Sequence, residues 1–386
     1  MIYQNYHKHD DFSNLMLTDS VATLEDYARR AKELGHSILS SCAHGTQGNY
    51  RQCALIAQKY DLKWRYVAEA YFVRNRREKD STNCHIILAA KTEKGVYDLN
   101  FALSEANLSG YYYRPRVDME LLLSFDPKDV FVTTACIAGV YKYGLPEAEK
   151  LIQRLYRHFG TSFMLEVQYH DTEKQKKINS FILGLYRRYG IPLIFGADSH
   201  FILPQDAALR DQRLEANHIR YEDEDGWYLD YPDAEEAMRR FRRQGVLSEA
   251  QITEAMENTN VFLSFEDVTF DRSKKLPTIY PELTQEERNQ KYLDTVYAEW
   301  ARYSQGMSEA EKEPRLEGIR YETEVVTSTN MADYFLLDYA IVSRAKAMGG
   351  VITPTGRGSA VSYFTNMLLG FSSVDRFSIP VEMYPD

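Results

Sequence analysis

The fold class this sequence predicts is α/β: a distorted, TIM-like β/α barrel followed by a smaller α+β segment. Three observations predict it. Short apolar runs alternate with amphipathic stretches through roughly the first 200 residues. Nearly every apolar run ends on a histidine, a carboxylate or a cysteine, and the ends of strands are where barrels and parallel sheets carry their chemistry. Past His200 the strand pattern gives way to helical periodicity. A chain of 386 residues is long enough for two or three ordinary cores.

Tyr3 to His9 reads as the first strand and ends in His7-Lys8-His9, two imidazoles on one face because strand side chains alternate. Thr23-Leu-Glu-Asp26 is a capping-box start; Leu24, Tyr27, Ala28, Ala31 and Leu34 form the stripe of a helix that Gly35 closes. Ser37 to Ser41 is the next strand, with His44-Gly45 just beyond it. Arg51 to Tyr60 is a helix, Trp64 to Phe72 a strand carrying Glu69, and His85 to Ala90 a strand that opens on its histidine. Val130 to Ala135 leads into Cys136. Pro146 to Phe159 is a helix stopped by Gly160, Phe163 to Gln168 a strand, and Glu173 to Tyr189 a helix stopped by Gly190. Ile191 to Phe195 is then a buried parallel strand whose continuation puts Asp198 and His200 on one side.

Beyond that point helices are expected at Pro232 to Arg243, Ser248 to Asn258, Thr284 to Tyr303, Pro314 to Thr329 and Tyr334 to Met348. The proline-bearing stretch from Ser273 to Pro281 reads as a connection, giving domains 1–275 and 276–386. Val351-Ile352 reads as a short strand, and Pro354-Thr-Gly-Arg-Gly-Ser359 as a loop opening onto another helix. Glycines there let backbone N–H groups approach a phosphate that Arg357 and Ser359 also bind; a plain turn is the other reading.

Hydrophobic content of 44% and charged content of 26% describe a soluble globular protein. No apolar run is long enough to span a bilayer and the first residues are not a signal peptide, so no membrane partner is expected. The four cysteines show no CxxC spacing, which fits a reducing, cytoplasmic setting. A net charge of -10 excludes a general nucleic-acid coat but leaves room for local DNA contacts or an acidic cleft holding metal. The basic runs Arg74 to Arg77, Arg187-Arg188 and Arg239 to Arg243 read as solvated surfaces ahead of phosphate contacts.

His7, His9, His44, Glu69, His85, Cys136, Asp198 and His200 together are a ligand set for zinc, manganese or iron. Five of the nine histidines fall in it, so a shared site outweighs the ordinary core or surface role each would have singly. The set is too large for one tetrahedral zinc, and two or three metals with bridging carboxylates is the natural count. Such clusters activate water and hold phosphoryl oxygens.

These residues, in the motifs His7-Lys-His9, His44-Gly45, Ala68-Glu-Ala-Tyr71, His85, Cys136-Ile-Ala-Gly139 and Gly196-Ala-Asp-Ser-His200, resemble in order those of the polymerase and histidinol phosphatase (PHP) domain. More narrowly, Tyr111 to Asp118, Leu165-Glu-Val-Gln168, Asp333-Tyr-Phe-Leu336 and Gly356-Arg-Gly-Ser359 are similar to motifs of the bacterial DNA polymerase III alpha family. The resemblance covers nearly the whole chain. It implies a nine-ligand trinuclear site at His7, His9, Asp19, His44, Glu69, His85, Cys136, Asp198 and His200, with His9, Glu69 and Asp198 as catalytic residues. Asp19 requires a short insertion at Asn14 to Leu17, and a loop aspartate is its other reading; a core thiol is the other reading of Cys136.

The implied function is the N-terminal part of a replicative polymerase. Its PHP unit would hydrolyse phosphodiesters as a 3′-5′ proofreading exonuclease, and the palm-like segment would bring Gly356, Arg357, Gly358 and Ser359 to the phosphates of a dNTP. The partners implied are the primer 3′ end of DNA, dNTP and other replisome subunits, with magnesium serving the full polymerase. The Asp-x-Asp pattern of the family's polymerase site is absent, so nucleotidyl transfer is not expected from this chain alone, which reads as a fragment or a natural short form. Two departures stand out. Ala43 replaces the aspartate usual before His44, and Thr355 alters the entry to the glycine loop. The first, together with the loop reading of Asp19, favours an alternative in which the unit is a silent structural module of the polymerase. A free-standing phosphatase for a small phosphomonoester would have no use for the palm-like residues.

Overall fold

The apolar runs assemble into one curled sheet. In the computed structural model, which describes residues 2–221, 226–271, 273 and 275–379, the strands are β1 (Ile38–Ser41), β2 (Lys63–Phe72), β3 (Cys84–Ala90), β4 (Arg116–Val117), β5 (Val130–Thr133), β6 (Phe163–Val167) and β7 (Leu193–Phe195). Their order is β1-β2-β3-β5-β6-β7, with β4 paired beside β2. These strands are buried almost throughout, as expected of continuous apolar runs covered on both faces. The pairs β1–β2, β5–β6 and β6–β7 are parallel, while β3 runs antiparallel to both its neighbours. The connection from Phe72 to Cys84 is too short to hold a crossover helix, which forces β3 to turn back.

Helices α1 (Leu24–Glu33), α2 (Tyr50–Lys59), α3 (Glu93–Leu108), α4 (Met119–Leu122), α5 (Leu145–Phe159), α6 (Glu173–Tyr189), α7 (Ala207–Ala216), α8 (Ala234–Gln244) and α9 (Glu249–Asn258) complete the first of two compact units, Met1–Phe270. Thr23 and Asp26 form the capping box of α1. The barrel-like architecture matches the expectation, with one correction at its start. Tyr3 to His9 is extended chain and not a ladder strand: its Lys8 makes a single bridge to Ser199, Cys42 N–H donates to Lys8 O at 2.9 Å, and His9 N–H donates to Ser199 O at 2.7 Å. The segment thus threads between the ends of β1 and β7. Tyr3 OH donates to Pro232 O at 2.7 Å, and Gln4 N–H donates to Thr259 Oγ1 at 2.7 Å, fastening it to chain far downstream.

The second unit, Asp271–Asp386, holds α10 (Gln285–Tyr303), α11 (Glu309–Ser328), α12 (Ala332–Ala347) and α13 (Phe364–Leu368) around Tyr292, Trp300, Ile319, Leu336 and Phe364. Pro314, expected to open its helix, lies inside α11, because the Ser308–Glu311 capping box starts the helix earlier. The strand expected at Val351-Ile352 does not form: Val351 is 93% exposed and has no partner strand, so among the described residues this unit is helical, not α+β. Lys274, in the expected connection, and the final residues Tyr384 to Asp386 lie outside the described residues.

Candidate metal centre

All nine residues expected to ligate metal converge at one mouth of the curled sheet. The extended first segment brings His7 and His9, the turn before α1 brings Asp19, and the end of β1 brings His44. Glu69 comes from β2 and His85 from β3; Cys136 and the Asp198/His200 pair follow β5 and β7. His7 Nε2 and His9 Nε2 lie 3.1 and 3.2 Å from Asp198 Oδ1. Glu69 sits centrally, with Oε2 2.6 Å from His44 Nδ1 and Oε1 2.9 Å from His85 Nδ1. Cys136 Sγ is 3.5 Å from His85 Nδ1. Asp19 stands between His44 and His200, 3.7 Å from each Nε2. Three overlapping groups have ligand atoms within 4.8 Å of one another: His7, His9 and Asp198; His9, His44 and Glu69; Glu69, His85 and Cys136. His9 and Glu69 each belong to two groups, the arrangement that shared or bridging ligands need.

The donor atoms themselves fit cations. His7 Nε2, both nitrogens of His44, both oxygens of Glu69, Asp19 Oδ1 and His200 Nδ1 are buried without a hydrogen bond of good geometry, and most of them face another member of the cluster in a close imidazole–carboxylate contact. Each such group costs about 1–3 kcal/mol if left unsatisfied. They face one another, so divalent ions would satisfy them together. Asp198 has a φ of +50°, a strained left-handed conformation of the kind retained at working sites.

The imidazoles of the cluster hold its central carboxylates ionised. Burial opposes ionisation of Glu69, but His85, His44 and His7 outweigh it and hold the carboxyl well below its usual range. For Asp198 burial is likewise overcome, by His7 and His9. Burial disfavours the His44 imidazolium, yet Glu69 and Asp19 push it up to about 10. Burial pushes the Cys136 thiol up, with Asp198 and Glu69 adding to it, so a thiolate there calls for a cation beside it.

Behind the ligands stands a residue the motif reading did not single out as functional. Glu166 Oε1 accepts from His7 Nδ1 at 2.7 Å and from Gln168 Nε2 at 2.9 Å; Oε2 accepts from Tyr6 OH at 2.6 Å and Thr133 Oγ1 at 3.1 Å. A proton held on Nδ1 leaves His7 Nε2 as the atom turned toward the cluster, as in metal-binding histidines. Glycine is required opposite: a Cβ on residue 196 would lie 2.1 Å from Glu166 Oε1. The sequence signal was Leu165-Glu-Val-Gln168, two polar residues two apart inside a buried strand.

The other expected site residues lie in the second unit and are described by themselves. Gly356 and Gly358 have φ of +65° and +67°, and Arg357, Gly358 and Ser359 are exposed. The loop leads into a 3-10 turn, Gly358–Ser362, ahead of the short α13. The arginine runs are structural over much of their length: Arg76 pairs with Asp118 at 2.6 Å, Arg240 with Asp230 at 2.7 Å and Arg242 with Glu249 at 2.6 Å. No helix of the described residues is long and apolar enough to cross a membrane.

Comparison with known proteins agrees with the motifs. Residues 5–170 match the family model of the PHP domain, and residues 282–383 match that of the bacterial DNA polymerase III alpha NTPase domain. The chain is 27% identical to DNA polymerase III subunit alpha of Aquifex aeolicus (strain VF5), over 97% of this chain and 34% of that protein. It is 25% identical to the same subunit of Treponema pallidum (strain Nichols), over 97% of this chain and 32% of that one. Against the subunit from Borreliella burgdorferi it is 30% identical, over 53% of this chain and 18% of the relative. The chain therefore spans about a third of the length of the first two of these relatives.

Proposed function

For a chain that carries a PHP domain followed by a segment of the bacterial DNA polymerase III alpha family, we propose that the first unit is a metal-dependent phosphoesterase acting on the 3′ end of DNA within a replicative polymerase. The observation that carries this reading is the convergence of buried His, Asp, Glu and Cys donor atoms from seven separate segments, three overlapping groups of which lie within 4.8 Å. Manganese, zinc or iron bound there, two or three ions per chain, would supply an activated water and neutralise charge on the phosphoryl oxygens. The chain's own part is to hold the ligands. Glu166 orients His7, while Glu69 and His9, each shared by two ligand groups, would serve more than one ion. Asp198 faces His7 and His9 together, and the buried setting strengthens each electrostatic contact with a developing phosphate charge.

The exposed Gly356–Ser359 loop fits a role in binding dNTP phosphates in a longer polymerase, where magnesium would serve nucleotidyl transfer. DNA, dNTP and other replisome subunits are the partners this reading entails, in a cytoplasmic setting.

The test is metal content per chain after purification without chelator, together with nucleotide release from a 3′-labelled single strand with added manganese. Two or three ions per chain are expected, with cleavage abolished by His9→Ala or Asp198→Ala. The second reading, a catalytically silent structural module, is favoured by Ala43 alone. It requires near-zero metal and no cleavage after manganese loading.

A further inference from the structure

The loop between α3 and β4 stands at the mouth of the metal centre without contributing a ligand. It is pinned there by Gly45, the residue after His44: a Cβ at 45 would lie 2.9 Å from Pro115 Cγ and 3.3 Å from the Tyr71 ring. Next to Pro115, the Arg114 guanidinium lies 5.8 Å from the centre of the Tyr71 ring. That ring is itself 5.5 Å from His85 and 6.2 Å from His44, centre to centre. Arg114 donates to the Met16 carbonyl, and among the described residues no carboxylate pairs with it. It is a half-buried cation beside a phosphoesterase-like centre with its charge unspent.

Beyond Arg114, Tyr111 and Tyr113 are 62% and 71% exposed. Tyr112 between them packs edge-on against Tyr113 at 4.6 Å and lies 5.4 Å from the Arg116 guanidinium. Arg116 is buried and donates to the carbonyls of Gly110, Glu78, Asp80 and Arg76, which makes the loop rigid. Tyr113 has a φ of +60°, a conformation that bulky residues avoid. A strained, exposed ring on a rigid loop beside an arginine that no carboxylate of the described residues pairs with is poor packing but a serviceable surface for a ligand.

We propose that Tyr111 and Tyr113 stack on the terminal bases of single-stranded DNA while Arg114 grips the phosphate that enters the metal centre. The proposal rests on the phosphoesterase reading and gives its substrate class. Stacking on tyrosine accepts any base, and an arginine fork matches phosphate geometry, which together suit an enzyme taking every 3′ end it meets. A small phosphomonoester would leave both rings without a function.

The test is fluorescence anisotropy of a labelled oligothymidylate with a phosphorothioate 3′ linkage, titrated with the full chain and its variants. Tyr111→Ala/Tyr113→Ala is expected to bind at least about 10-fold more weakly, and Tyr111→Phe/Tyr113→Phe to bind like the unmodified chain. An abasic strand of equal length should bind both the unmodified chain and the double alanine variant with the same, weaker affinity. Arg114→Gln should weaken binding and lower the slope of log K against log salt by about 0.7, the value for one phosphate contact on a single strand. Tyr113→Gly relieves the positive φ, so it should lose affinity without losing thermal stability, separating stacking from misfolding. Equal affinity of all tyrosine variants for oligothymidylate, or no preference of the unmodified chain for it over the abasic strand, overturns the proposal. Tyrosine-dependent binding without any hydrolysis of an ordinary strand sustains the stacking surface and sinks the hydrolytic reading alone.

Discussion

Glu166 is the residue on which the proposed metal centre turns without being one of its expected ligands. Glu166→Gln keeps the shape and removes the charge, so the His7 imidazole loses its fixed tautomer. Metal affinity should fall by about 10- to 100-fold, read by competition with a chromogenic chelator, with the fold retained. Gly196→Ala should act in the same direction by displacing that carboxylate. A second residue reports on stability. His36 is buried, shares a 2.6 Å hydrogen bond with the Tyr231 hydroxyl, and burial, with Lys8 and Arg30 nearby, lowers it from 6.5 to about 3. The unfolded chain takes up this proton as pH drops through 6.5 and the folded chain does not. The contribution of a neutral His36 is therefore full above pH 6.5 and lost progressively toward pH 3. Melting temperature measured at pH 7.5 and pH 5 should drop less in His36→Gln than in the unmodified chain. At this scale the convergence of these residues was legible because histidine is scarce and recurs at strand ends. Glu166 was not, because its partners Tyr6, His7 and Thr133 come from distant segments that only the folded sheet brings together.

Among the elements, α6 could be read from the sequence end to end. Thr172 caps it, its apolar stripe is regular, and Gly190 in the left-handed region ends it. The helix α3 could not, since Tyr97, Phe101 and Leu108 face solvent and blur the apolar stripe. The reversed direction of β3 was also hidden, because residue pattern marks a strand but not its partner's sense. The basic run on α8 shows the same limit from the other side. Arg240 makes two bonds to Asp230, at 2.7 and 2.8 Å, and lies 4.6 Å from the centre of the Tyr228 ring, so part of a surface-like motif is an internal clamp. Arg240→Ala strands a buried carboxylate and should cost about 3–5 kcal/mol, measured as a shifted denaturant midpoint. Arg239→Ala, on the exposed side of the same helix, should change stability by about 0.5 kcal/mol or less.

For the whole molecule, the cores divide near residue 270. The barrel clusters are built from residues before that point, and the helical cluster around Trp300 from residues after it. A chain ending at Phe270 should therefore fold cooperatively and bind as many metal ions as the full chain, measured by calorimetry and elemental analysis. Loss of metal on shortening would place a ligand beyond the barrel. The closure of that barrel also has a consequence in time. The segment bearing His7 and His9 is held by Thr259, 255 residues further on. At ribosomal speeds of about 5–20 residues per second, that anchor emerges roughly 13 to 50 s after the segment it secures. Two of the first residues of the cluster to be synthesised are thus among the last to be enclosed. Through that interval the nascent chain presents a bare pair of imidazoles to every cation in its surroundings, so a metal bound at the proposed centre would be selected only once Thr259 has emerged.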